Sequence, residues 1–100
     1  MNPYYAVIFT SRVSSDIEGY ARAAKRMIEI AQSSNGFLGV ESARSELGIT
    51  VSYWSDLASI SEFKRHSEHK LAQLHGREKW YLGYRVRICK VERDYDFGAL

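Results

Sequence analysis

The chain has 100 residues, 45% of them apolar and 13% aromatic, with 14 Lys and Arg against 12 Asp and Glu and a formal charge of +2. That length makes one domain, residues 1–100 with a core over about 4–97, able to bury roughly 60–70% of its unfolded surface. The apolar content excludes a disordered tail, and the balanced charge excludes a dedicated nucleic-acid surface, which carries a clustered basic face.

Tyr4 to Val13 reads as a strand with Tyr5, Val7 and Phe9 on one side and Ala6, Ile8 and Thr10 on the other. Ser15 and Glu18 have capping-box spacing and predict a helix from there to about Ser33. Ile17, Tyr20, Ala21, Ala24, Met27, Ile28 and Ala31 form its apolar stripe, which reads as a core face. Asn35-Gly36 ends it, since both residues tolerate positive φ. Phe37 to Arg44 and Ile49 to Trp54 follow as a hairpin about Ser45-Glu46-Leu47-Gly48. Asp56 and Ser55 are caps for a second helix, about Leu57 to His75, stopped by Gly76. A short turn over Arg77 to Leu82 leads to a long last strand, Tyr84 to Phe97.

The order is βαββαβ, the ferredoxin-like α+β arrangement: an antiparallel sheet with both helices on one face. The other face is then bare. Ile8, Trp54, Cys89, Val91 and Phe37 are assigned to it, and a second sheet packed against them would cover them. The last strand is longer than such a sheet needs, and its tail from Val91 to Phe97 has the reach to contact a partner. Both features predict a homodimer.

Cys89 is the only cysteine, so one chain forms neither a disulfide nor a cysteine-based zinc cluster. It reads as a buried thiol in a reducing, cytoplasmic compartment. Met1 to Tyr5 lacks the basic and apolar regions of a signal peptide, and no apolar run is long enough for a membrane span. Arg85, Arg87, Lys90 and Arg93, interrupted by Glu92 and Asp94, read as a solvated or interface strand.

Candidate chemistry concentrates in the second helix. His66 and His69 share one side, with Glu62 four residues before His66. Two histidines need a third ligand to hold a metal; His75 lies at a less favourable angle, so no metal site is expected. The pair serves either as a satisfied surface or with one member, preferably His69, lining a pocket as a proton carrier. Trp80, Tyr81 and Tyr84 suit pocket walls as well as packing, and Trp54 suits wall and core equally. No phosphate loop, dinucleotide-binding glycine pattern or nucleophile elbow is present. Catalysis by this chain therefore relies on its substrate's own reactivity or on a cofactor bound without an obvious motif.

The series Gly36-Phe37-Leu38-Gly39-Val40, Gly48 to Trp54, Glu68-His69, Gln73, Gly76-Arg77, Trp80-Tyr81, Tyr84 and Val91-Glu92-Arg93 resembles the antibiotic biosynthesis monooxygenase family. The resemblance spans roughly Tyr4 to Phe97, and its specific part is Gly36 to Arg93. It implies a dimeric α/β barrel and a small pocket between helices and sheet. It also implies O₂ chemistry on an electron-rich aromatic compound without metal, haem or flavin. By this resemblance Trp54, Phe63, Gln73, Trp80 and Tyr81 contact substrate, and His69, or His66 in its place, handles protons. A haem-degrading branch of the family uses an Asn, a Trp and a His; Thr10, Phe63 and Gln73 stand near those places, so haem is disfavoured.

Two functions follow. One is a cofactor-independent monooxygenase for a small aromatic or quinol-like compound, which predicts a closed apolar pocket beside His69 and Trp54. The other is a non-enzymatic dimeric small-ligand-binding or stress-related protein, which predicts a filled core or outward-facing histidines.

Overall fold

Alternating apolar residues on four strands build one antiparallel sheet. The computed structural model describes residues 3–100; Met1 and Asn2 of the N-terminal segment lie outside the described residues. The elements are β1 (Tyr4–Val13), α1 (Tyr20–Gln32), β2 (Phe37–Arg44), β3 (Gly48–Trp54), α2 (Leu57–Gln73), α3 (Gly76–Trp80) and β4 (Tyr81–Val91). The sheet order is β2-β3-β1-β4, the ferredoxin-like βαββαβ arrangement, with the helices on one face. Among the described residues, no helix is long and apolar enough to cross a membrane.

Register fixes which residues meet the helices. Tyr5, Val7, Phe9 and Ser11 of β1 pair with Trp54, Ser52, Thr50 and Gly48 of β3, so these eight share a face. Trp54 is 0% exposed and packs with Ala31 and Ile60 beneath the helices, flanked by Tyr5, Val7, Phe37 and Phe63. Its ring centroid lies 5.0 Å from that of Phe63 and 5.5 Å from that of Phe37, and its indole N–H donates to Ser52 Oγ at 2.9 Å. A buried indole with its donor satisfied is a stable core element.

Trp54 and Phe37 therefore belong to the helix-covered face and not to the bare one. Register places Ile8, Val51 and Tyr53 on the opposite face with Cys89 and Val91. Cys89 is exposed there, not buried, because β4 is the outer strand and nothing lies over it in a single chain.

Three boundaries depart from the sequence pattern. The first helix begins at Tyr20, not near Ser15. Ser14 N–H donates to the Trp80 carbonyl at 2.6 Å, and Ser14 Oγ donates to the Lys79 carbonyl at 2.7 Å and accepts from Asp16 N–H at 3.2 Å. These bonds hold the segment against α3, and the Ser15–Glu18 box does not form. The second helix ends at Gln73, and the reversal falls on His75 at φ 54°, so that Gly76 starts α3. The last strand runs from Tyr81 to Val91 and stops there because its partner β1 begins at Tyr4, opposite Val91. Gly36, at φ 80°, makes the turn into β2, where a side chain would also strike Ser59.

Asp56 caps α2 as expected, accepting from Ser59 N–H at 2.8 Å. Its carboxyl is held below the ordinary value chiefly by that bond, then by the Ser55 and Ser59 hydroxyls. A depressed value in the folded state adds stability above the unfolded pKa, lost as pH falls through the folded one. Asp56→Ala should thus lower the urea midpoint at about pH 7, and the gap to wild type should close near about pH 2. Trp54→Ala should cost about 3–5 kcal/mol in the same measurement, the range for emptying a tryptophan site in a core.

Candidate functional site

At the end of the sheet remote from Trp54, five aromatic rings gather around two guanidinium groups. Phe9 of β1 stacks on Tyr84 of β4 at 5.3 Å and meets Tyr81 edge-on at 5.7 Å. Tyr20, the first residue of α1, meets Tyr81 at 5.8 Å and Trp80 at 6.0 Å, both edge-on. Edge and offset geometries are the attractive ones for such rings. Trp80, 4% exposed, is the floor, with its indole N–H donating to the Glu18 carbonyl at 2.9 Å. Tyr84, Val86 and Ile88 continue from the rings along β4 on the same face and stay exposed.

Arg44, the last residue of β2, reaches over Gly48 to this cluster. Its guanidinium donates to Ser11 Oγ and to the Ser11 carbonyl and lies 5.6 Å from the Tyr20 ring centroid. Gly48 must lack a side chain, because a Cβ there would occupy the guanidinium's position. Ser11 is 2% exposed, a polar residue buried in an otherwise apolar strand face and satisfied by Arg44. Arg77 of α3 lies 5.8 Å from the Tyr84 ring centroid on the other flank. A planar aromatic molecule with a negative oxygen matches this shelf: rings for its faces, guanidinium N–H groups for its charge.

Tyr81 has its phenol pushed well up, by burial first and by Tyr20 second, with Arg44 pulling the other way. It remains a neutral donor across the physiological range.

The sequence-predicted residues divide between two ends of the sheet. Trp80 and Tyr81 lie in the aromatic shelf. Trp54 lies at the opposite end of β1, six residues or roughly 20 Å from Ser11 along the strand. Phe63 and His66 line a cavity of about 200 Å³ between α1 and α2, with Ile30, Ser34, Ser59 and Glu62. His69 is exposed on α2, its ring nitrogen 3.2 Å from the Gln73 amide nitrogen. His69 is not among the residues that line this cavity, and the Phe63 ring packs against the Trp54 indole. His75 sits exposed in the turn before α3. Among the described residues no three His, Cys, Asp or Glu side chains are placed to hold a metal. Sequence reasoning missed Phe9, Ser11, Tyr20 and Arg44. The available signal was Ser11, which interrupts the apolar run of Tyr5, Val7 and Phe9.

The cavity at Phe63 and His66 suits a different ligand. It adjoins the carbonyl end of α1, where partial negative charge gathers, and Glu62 adds a full one. Both disfavour an anion. The Arg44 shelf favours one.

This sheet with helices on one face is the fold of the antibiotic biosynthesis monooxygenase proteins. A candidate antibiotic biosynthesis monooxygenase from Nitrosomonas europaea superposes with a TM-score of 0.73 at 13% identity, over 89% of this chain and 90% of that one. SnoaB, a cofactor-independent oxygenase from Streptomyces nogalater, in a mutant form, superposes at 0.71 with 10% identity, over 94% and 97%. NE2512 from Nitrosomonas europaea, a protein of unknown function, gives 0.75 at 7% identity, over 97% of each chain. No family model matches the sequence. The uncharacterized protein YqjZ of Bacillus subtilis is 48% identical over 93 residues, covering 91% of this chain and 82% of YqjZ. The chain belongs to the family of small bacterial proteins that includes YqjZ, built on the antibiotic biosynthesis monooxygenase fold.

The raised phenol of Tyr81 carries a pH signature. A folded pKa above the unfolded value contributes stability below the unfolded value, near 10, and that contribution is lost as pH rises toward the folded one. The urea midpoint of Tyr81→Phe should fall less steeply than that of wild type between about pH 9 and 11. Parallel curves would mean that Tyr81 ionises as readily folded as unfolded.

Proposed function

We propose that the chain is a cofactor-independent monooxygenase for a small phenol- or quinol-type compound, bound as its anion on the shelf of Phe9, Tyr20, Tyr81 and Tyr84. The observation that carries this reading is Arg44, a guanidinium held by Ser11 across Gly48 and stacked on Tyr20. The fold shared with SnoaB supports the reaction class.

The chemistry needs no redox group from the protein. A phenol with a free para carbon reacts with O₂ to give a para-quinone and water. One oxygen atom forms the new carbonyl, and the other leaves as water with the phenolic and para hydrogens. The substrate supplies all four electrons. The chain's part is to favour the phenolate, the form that gives up an electron to O₂ most readily. Arg44 does this by charge-assisted hydrogen bonding, Arg77 adds positive potential, and the neutral Tyr81 hydroxyl is a further donor. His69 and His66 have no part in this version.

A second reading, ligand binding without turnover, is favoured by the filled space over Trp54 and by the exposed His69. An oxygen electrode and a fluorescence titration with a panel of phenols, naphthols and quinols separate the two. The oxygenase reading expects O₂ uptake equal to quinone formed, with Arg44→Gln reducing kcat/KM at least about tenfold, as loss of a charged hydrogen bond worth about 1.5–3 kcal/mol requires. Binding without uptake would support the second reading. Uptake unchanged in Arg44→Gln would remove the shelf from the reaction.

A further inference from the structure

We propose that the cavity between α1 and α2 is a second binding site, and that its ligand is a small primary ammonium ion on a short carbon stem. The cavity measures about 200 Å³, and its walls include Ile30, Ser33, Ser34, Ser59, Glu62 and Phe63. At about 30 Å³ for each water molecule, that volume suits a ligand of few heavy atoms. None of these residues belongs to the aromatic shelf, and the inference does not rest on the reaction proposed there.

The choice of an ammonium follows from where the hydroxyl hydrogens go. A serine hydroxyl has one hydrogen to donate and two lone pairs that accept. Ser33 Oγ donates to the Ile30 carbonyl at 3.1 Å, and Ser34 Oγ donates to the same oxygen at 2.6 Å. Ser59 is buried, and its Oγ donates to the Asp56 carboxylate at 3.1 Å. All three hydroxyls have committed their hydrogens to the protein, so lone pairs are what they offer a ligand. Glu62 adds a carboxylate that no cation partners within ion-pair distance among the described residues. The last turn of α1 adds the negative end of the helix dipole. Asn35 and His66, which also line the cavity, are exposed and stand on its solvent side.

A wall of acceptors selects a ligand that only donates. An ammonium group has three N–H donors and no acceptor, and it stays charged at neutral pH. An alcohol brings one donor and no charge. A carboxylate would set its own oxygens against Glu62 and the serine lone pairs. A metal ion lacks ligands here, since among the described residues no three His, Cys, Asp or Glu side chains are placed to hold one. The carbon stem answers to the other wall. Ile30 and Phe63 are half-buried, and the Phe63 ring is held against Trp54, with centroids 5.0 Å apart. A short alkyl chain laid on these two side chains removes apolar surface from water on both sides of the contact.

The test is a titration of the full isotope-labelled chain, read by backbone amide NMR shifts at constant pH and ionic strength. Butylammonium chloride should bind with a Kd at or below about 1 mM and shift the amides of Ser33, Ser34, Glu62 and Phe63 most. Butanol and sodium butyrate, of the same length, should bind at least about tenfold more weakly. Glu62→Gln, at an exposed helix position, should weaken butylammonium at least about tenfold, the effect of losing one charged hydrogen bond. Glu68→Gln removes the same charge from α2 outside the cavity and should leave the Kd within about twofold. Circular dichroism checks that both variants fold, and the three ligands compared on wild type need no variant. No saturable shift by about 10 mM butylammonium would overturn the proposal, as would shifts centred away from those four amides. Butanol or butyrate binding as tightly would overturn the selection of a cation. Equal losses in Glu62→Gln and Glu68→Gln, or none in Glu62→Gln, would overturn the role given to Glu62 and the site with it.

Discussion

The tie between Ser14 and the end of α3 organises one half of the molecule. Ser14 N–H and Oγ both donate to carbonyls of the Lys79–Trp80 turn, at 2.6 and 2.7 Å. A chain leaving β1 is thereby held at the start of β4, sixty-odd residues later, before it can coil. The consequence is local: α1 starts at Tyr20, where its ring lands on Trp80 and Tyr81. It is also topological, because β4 then enters the sheet at Tyr81 beside Val13, with an irregularity at Arg12 and Val13 where the register adjusts. Two hydrogen bonds of ordinary strength, each worth about 1 kcal/mol net, thus set where an aromatic cluster assembles.

The two ends of the sheet carry opposite electrostatic characters, and this decides between candidate sites better than cavity size does. Near Trp54 the space is filled by apolar packing, and a cavity between α1 and α2 meets Glu62 and the carbonyl end of α1. Near Ser11 the space is bounded by Arg44 and Arg77, with rings between them. Charge at a partly buried site matters more than charge at a wet one, since the effective dielectric falls with burial. A neutral apolar ligand has no reason to choose the second end. An aromatic anion does.

Much of this was legible in the residues. The period-2 runs of Tyr5, Val7 and Phe9 and of Ile49, Val51 and Tyr53 announce strands, and the antiparallel sheet follows from their order. Asp56 is a cap in the sequence and in the structure. Ser15 and Glu18 have the right spacing for a cap, but spacing cannot reveal that Ser14 is already engaged with residues near position 80. Alternation says which residues share a face and not which face the helices choose, so it cannot put Trp54 and Phe37 under the helices, where the register sets them. His66, His69, Trp54, Phe63, Trp80 and Tyr81 appear as one group in a linear reading, since all of them lie on α2 or close to it in the chain. The strand separates them, as it carries Trp54 and Ser11 to opposite ends of one pleated ribbon. Arg44 was invisible because its role depends on a glycine four residues later and on a serine thirty-three residues earlier.

That dependence bears on what the fold can say about function. Proteins at 7–13% identity share this sheet and these helices, and they include both an oxygenase and a protein without known activity. A shared scaffold fixes where side chains point and leaves their chemistry open. At the shelf, three residues from three strands must agree. Gly48 gives the guanidinium room, Ser11 gives it a buried acceptor, and Arg44 brings the charge. Each is unremarkable alone. A strand end with an arginine is common, and a buried serine usually finds a backbone partner. Together they hold a cation against the Tyr20 ring. A merely structural arginine would be as well served by a carboxylate, and none partners Arg44 within ion-pair distance among the described residues.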